Sequence, residues 1–80
     1  MENLPTIASI ARDIRKDWLK VNYAAKPYLD AMLSLSGPDD SYGFDSARSI
    51  VLYFLGNASS YRGPNAKANK IMLKKIVGIK

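Results

Sequence analysis

Ser46-Ala47-Arg48-Ser49-Ile50-Val51-Leu52-Tyr53-Phe54-Leu55-Gly56-Asn57 is the stretch whose reading decides the fold. Its unbroken apolar run, Ile50 to Leu55, suits a buried strand or a buried helix, because a short apolar run has no period to separate the two. Three features favour helix. Asp45 or Ser46 can cap the free N–H groups of a first turn, and Asp45 also complements the positive end of the helix dipole. Ala47 and Ser49 continue the segment. No second stretch reads as a strand, and a lone strand would leave its backbone groups unpaired. The segment is therefore read as a helix that is apolar all round, the buried centre of a bundle. Gly56-Asn57 can end it with a left-handed residue.

Upstream, Ile7, Ile10, Ile14, Trp18 and Val21 recur at spacings of three and four and describe one face of an amphipathic helix. Asn3 or Thr6 can cap it, and Pro5 is tolerated in a first turn. A second helix carries Tyr28, Leu29, Met32, Leu33 and Leu35 on its apolar side, and Pro27 limits how early it begins. Ser36-Gly37-Pro38-Asp39-Asp40-Ser41-Tyr42-Gly43 is a loop dense in turn formers. Downstream, Ala58 to Gly63 form a connector, Pro64 opens a fourth helix and Gly78 stops it. Ala68, Met72, Ile76 and Ile79 share one face of that helix, and Lys67, Lys70 and Lys74 share the opposite one. Ile71, Leu73 and Val77 lie off the main face and suit a wider core or a self-association surface. The expected fold class is all-α: a small bundle of about four helices over residues 5–20, 24–35, 46–57 and 64–77, in one domain spanning 1–80.

Eighty residues, 48% of them hydrophobic, suffice for one compact core. The chain has no cysteine, so disulfide staples and cysteine-ligated zinc are excluded. It has no histidine, which removes the usual general base near neutral pH and the commonest nitrogen ligand of transition metals. The reading is accordingly not an enzyme, with no cofactor. Asp39, Asp40 and Asp45 around Gly43 lack the alternating ligands and terminal glutamate of a calcium loop and are read as capping and loop solvation. No apolar run reaches the length of a membrane span, and Met1-Glu2-Asn3-Leu4-Pro5 has no signal-peptide character, so the expected compartment is the cytoplasm.

The net charge of +5 hides an asymmetry. Through Asp45 there are five basic and seven acidic residues, a local sum of −2. From Ser46 onward there are seven basic residues and no acid, a sum of +7. The candidate site is therefore in the second half: Tyr61 and Arg62, where an aromatic beside an arginine can stack on a base, and Lys67, Lys70 and Lys74, whose one-turn spacing can follow a phosphate backbone. The plainer reading of the same lysines is the solvated side of a terminal helix, which favours cations near its C-terminal end.

The stretch from Tyr42-Gly43-Phe44-Asp45-Ser46 through Ile50-Val51-Leu52-Tyr53-Phe54-Leu55 to Asn57-Ala58, Tyr61-Arg62-Gly63 and Ala66 resembles a family of short uncharacterised proteins of bacteriophages and mobile elements. Pro5-Thr6-Ile7 and Pro27-Tyr28-Leu29-Asp30-Ala31-Met32 are similar to its first half. The chain departs from the pattern at Tyr61, where tryptophan is expected, and in the last helix, where an acid is expected among the lysines. The resemblance implies a small helical fold in a phage setting and brings no activity with it.

Three functions follow as expectations. The first is a non-enzymatic phage-encoded binding protein that attaches through its basic face to an acidic host or defence-system complex and inhibits or modulates it, as an anti-CRISPR inhibitor does. The second is nucleic-acid binding through the basic C-terminal helix, with phosphate contact more than base readout. The third is an oligomeric binder of an anionic nucleotide.

Overall fold

Thr6 accepts the N–H of Ser9 at its Oγ1 (3.1 Å), and Ser9 donates its hydroxyl to the Thr6 carbonyl (2.8 Å). This pair starts helix α1 (Ile7–Asp17) in the computed structural model, which describes residues 5–79. Asn3, the other candidate cap, lies outside those residues, as does Lys80. The first-turn N–H groups of Ile7 and Ala8 donate to the carbonyls of Ser36 and Leu35 at 2.9 and 2.8 Å. The start of α1 is thereby tied to the chain leaving α2 (Lys26–Met32). α1 buries Ile7, Ile10 and Ile14 of the stripe its spacing predicts, with Ala11 beside them, while Trp18 and Val21 fall beyond its end. It stops at Asp17, short of the expected Lys20, because Trp18 turns out of the helix (φ −96°, ψ 88°) and puts its ring into the core.

The connector to α2 is organised by Asn22. Its carboxamide oxygen accepts the N–H of Ala24, its backbone carbonyl accepts the N–H groups of Ala25 and Lys26, and its Nδ2 donates to the carbonyl of Asn57 at 3.0 Å. α2 is shorter than expected. After Met32 the chain tightens into turns in which Ser34 and Leu35 bond back three residues, keeping Leu35 buried.

Residues 36–46 are not wholly a loop. Ser41–Tyr42 (β1) and Asp45–Ser46 (β2) form a two-residue antiparallel ladder, with Tyr42 opposite Asp45. Gly43, at φ 63°, takes the first corner, the position glycine holds in a type II′ hairpin turn. Strands this short, exposed on every residue, leave no alternation in the sequence to read. Asp40 clasps the segment: its carboxylate accepts the N–H groups of Ser36 (3.0 Å) and Ser41 (2.9 Å), and its carbonyl accepts that of Ala47. Those two backbone donors hold the Asp40 carboxyl below its usual pKa.

Ser46, not Asp45, caps α3 (Ala47–Gly56), its Oγ accepting the N–H of Ser49 at 3.1 Å. The helix reading of this segment holds, but the helix is neither central nor apolar all round. α1 packs against α2 and α4, and α3 packs against α2 and α4. In such a ring each helix has one inward stripe, here Ala47, Ile50, Val51 and Phe54. Leu52 and Tyr53 remain 45% and 51% exposed. Nor does α3 end on a left-handed residue: Asn57 has φ −110°, and its Nδ2 donates to the Tyr53 carbonyl instead. α4 (Pro64–Val77) begins at proline and ends at Gly78 (φ 74°), where Ile79 donates to the Lys74 carbonyl, as the sequence predicts. No helix among the described residues is long and apolar enough to cross a membrane.

One end of the ring closes on aromatic side chains. Trp18 stacks on Tyr61 (centroids 5.1 Å apart, planes 17°) and meets Phe54 edge-on at 6.2 Å. Trp18→Ala is expected to cost about 3–5 kcal/mol, against a total of order 4–12 for a chain of this size. Urea unfolding followed by circular dichroism measures it, and a loss under about 1 kcal/mol would contradict the packing described.

Candidate functional site

Of the five residues expected to form the site, Tyr61, Arg62, Lys67 and Lys70 line one shallow depression at the start of α4, and Lys74 is not part of its lining. Tyr61 is buried, 2% exposed, although it lies in a connector. One face of its ring lies on Trp18, its hydroxyl accepts a hydrogen bond from Asn69 Nδ2 at 2.9 Å, and the Lys70 ammonium sits 5.7 Å from the ring centre. It cannot stack on a base without leaving the core. Burial, helped by the nearby carboxylates of Asp17 and Asp13 and opposed by the Asn69 bond, pushes its pKa up to about 12.

Lys70 is likewise a structural residue. Its Nζ donates to the carbonyls of Ala58 (2.8 Å) and Tyr61 (2.7 Å), pinning the connector between α3 and α4 to the second turn of α4. Burial lowers its pKa, and the charges of Arg62 and Lys74 add to that. α4 is rotated by about a third of a turn from the expected phase to bring this side chain inward. Its buried row is Ala66, Leu73, Ile76 and Val77. Ala68, expected in the core, is exposed in a groove between α1 and α4 beside Asp13, Lys16, Asn65 and Asn69, and Ile71 is 55% exposed.

Lys67, Lys74 and Arg62 do reach the surface. Arg62 donates through Nε to the Ser59 carbonyl at 3.3 Å and stands with Gly63 and Lys67 at the shallow depression where α4 begins, with Tyr61, Ala66 and Lys70 beneath them. The surface row on α4 is Lys67, Ile71 and Lys74, at i, i+4 and i+7, an apolar residue between two cations. On α3 the comparable exposed row is Arg48, Leu52 and the half-buried Leu55. Sequence reasoning passed over both rows. Their signal was the same helical spacing, read with Lys70 removed. No group of three or more metal-ligating side chains occurs among the described residues. No protein-family model matches the chain, and no curated protein or solved structure matches it either.

Two measurements separate structural from surface residues. Lys70→Met is expected to lose about 1–3 kcal/mol of stability, since two charge-assisted bonds disappear and two connector carbonyls lose their donor. Lys67→Met and Lys74→Met should each change it by less than about 0.5 kcal/mol. For Tyr61, a folded-state pKa above the unfolded value of 10.0 means that its contribution is complete below pH 10 and disappears as pH rises to about 12. Tyr61→Phe should be less stable than the parent near neutrality by about 1 kcal/mol, for the lost Asn69 bond. The difference should shrink above pH 10 and reverse before pH 12, because the phenylalanine cannot ionise in either state. Urea midpoints across that range check it.

Proposed function

We propose that this chain is a non-enzymatic binding protein that works by docking on an acidic partner, a host or defence-system complex in the cytoplasm of a phage-infected cell, which it inhibits or modulates. The observation that carries this is charge placement. Arg48, Arg62, Lys67 and Lys74 are exposed, while residues 46–79 contain no carboxylate to neutralise them. A one-signed surface of this kind steers encounter with an oppositely charged one and rejects like-charged competitors. Without histidine or cysteine, the chain lacks the usual general base near neutral pH, a thiolate nucleophile and the nitrogen and sulfur ligands of transition metals. The phage setting rests on the resemblance of residues 42–66.

Nucleic-acid binding is the weaker reading. The proposed base stacker, Tyr61, and the middle lysine of the stripe, Lys70, are both engaged inside the fold. Of the three stripe lysines only Lys67 and Lys74 remain to follow a phosphate backbone, and two such contacts give a salt slope of only about −2. A nucleotide site fares no better, since it depended on a free face of Tyr61.

Affinity capture from phage-infected host lysate, with nuclease added, tests the proposal. The parent chain should retain one protein partner in stoichiometric amount, and the Arg48→Glu, Lys67→Glu, Lys74→Glu variant should lose it while keeping its helical circular dichroism. Recovery of no stoichiometric protein, or of a partner that nuclease releases, would overturn it.

A further inference from the structure

We infer that the outer face shared by α3 and α4 is the docking surface, and that its occupant is an acidic amphipathic helix of a partner protein. This rests on the acidic-partner reading and adds both the location and the chemistry of the partner.

Helical phase defines the face. On α4, Asn65 donates to Asp17 and Asn69 lines the groove with Asp13, so those residues mark the side toward α1. At about 100° per residue, Lys67, Ile71 and Lys74 lie across the buried row from them, on the flank toward α3. On α3, Tyr53 packs against Tyr28 at 5.4 Å and marks the side toward α2. Arg48, Leu52 and Leu55 lie on the opposite flank, toward α4. The two helices run in opposite directions, because α3 ends and α4 begins at the pole where Asn57 meets Asn22 and Asn65 meets Asp17. Helix direction thus places Lys67 toward the end of α3, and Lys74 toward its start, where Arg48 lies. Leu52, Leu55 and Ile71 are left between them.

The result is an apolar centre, with Leu52 at 45% and Ile71 at 55% exposure, bounded by cations at both ends and with no acid on either helix. An amphipathic helix laid between two antiparallel helices meets such a surface with anchors at i, i+3 or i+4 and i+7. Its acidic flanks pair with Arg48, Lys67 and Lys74. A nucleic acid would meet the cations but gain nothing from Leu52 and Ile71, which occupy the positions between them. A second copy of this chain would bring the same positive charge to the interface.

The probe is an 18-residue peptide with leucine at i, i+4, i+7 and i+11 and glutamate on both flanks. Its controls are a scrambled peptide of the same composition and a 12-base-pair DNA duplex. In ¹H–¹⁵N spectra the peptide should shift amide signals of α3 and α4 around residues 48–55 and 67–74 and leave α1 and α2 unmoved. Leu52→Ser and Ile71→Ser should each weaken it about tenfold, the loss expected of an anchor worth 1.4 kcal/mol, with an unchanged unfolding midpoint. The scrambled peptide should bind the parent no better than the patterned one binds the double serine variant. The inference is overturned by shifts on another face, by no binding, by serine variants that bind as the parent does, or by DNA that displaces the peptide with an affinity indifferent to those serines. The same double variant in the lysate capture separates this from the broader reading. A partner kept by the serine variant but lost on charge reversal removes the helix-docking inference and leaves the acidic-partner reading standing.

Discussion

The ammonium of Lys70 holds together the part of the chain that no helix can hold. Residues 57–63 cross from α3 to α4 without regular structure, yet Ala58 and Tyr61 are buried there. Backbone carbonyls drawn inward need donors, or they carry the cost of lost hydration. Lys70 supplies a charged donor to two of them at 2.7–2.8 Å. With the connector fixed, Tyr61 is presented to Trp18, Trp18 to Phe54, and α1, α3 and α4 meet at one pole. α1 ends one residue before the tryptophan that joins this cluster.

The other pole is closed in the same manner, by polar groups acting on non-helical chain. Asp40 gathers Ser36, Ser41 and Ala47 around itself, and the carbonyls of Leu35 and Ser36 receive the first donors of α1. Closure at both ends matters because the helices are short, 7 to 14 residues, below or near the length at which an isolated helix is marginal in water. They persist by packing a stripe each into the shared core, and the poles fix which stripe faces inward.

This explains what could be read from the sequence and what could not. Thr6, Ser46, Pro64 and Gly78 act through atoms of their own or neighbouring turns, so their roles as starts and stops were legible. The stripe of α1 was legible because four large apolar residues repeat without competition. The phase of α4 was not. Ile71, Met72, Leu73, Ile76 and Val77 offer apolar residues in most directions, and the decision fell to Lys70, whose partners lie 9 and 12 residues away. A lysine that bonds carbonyls and one that meets solvent look the same in a sequence. The candidate site changes with that phase: with α4 turned, Lys70 bonds the connector while Ile71 faces solvent.

Charge then links the fold to what it can bind. Burial first, and then the charges of Arg62 and Lys74, lower the pKa of Lys70, so the clamp works partly against the field of its own neighbours. Like charges within a Debye length of about 8 Å are screened only partly at physiological ionic strength. No carboxylate on α3 or α4 offsets them. In the proposed docking, negative charge laid against this face would relieve that repulsion. A partner that binds the folded chain alone also stabilises it by mass action. Under the proposed docking, the cations that would steer a partner to the α3–α4 face are thus the same neighbours whose field the Lys70 clamp works against.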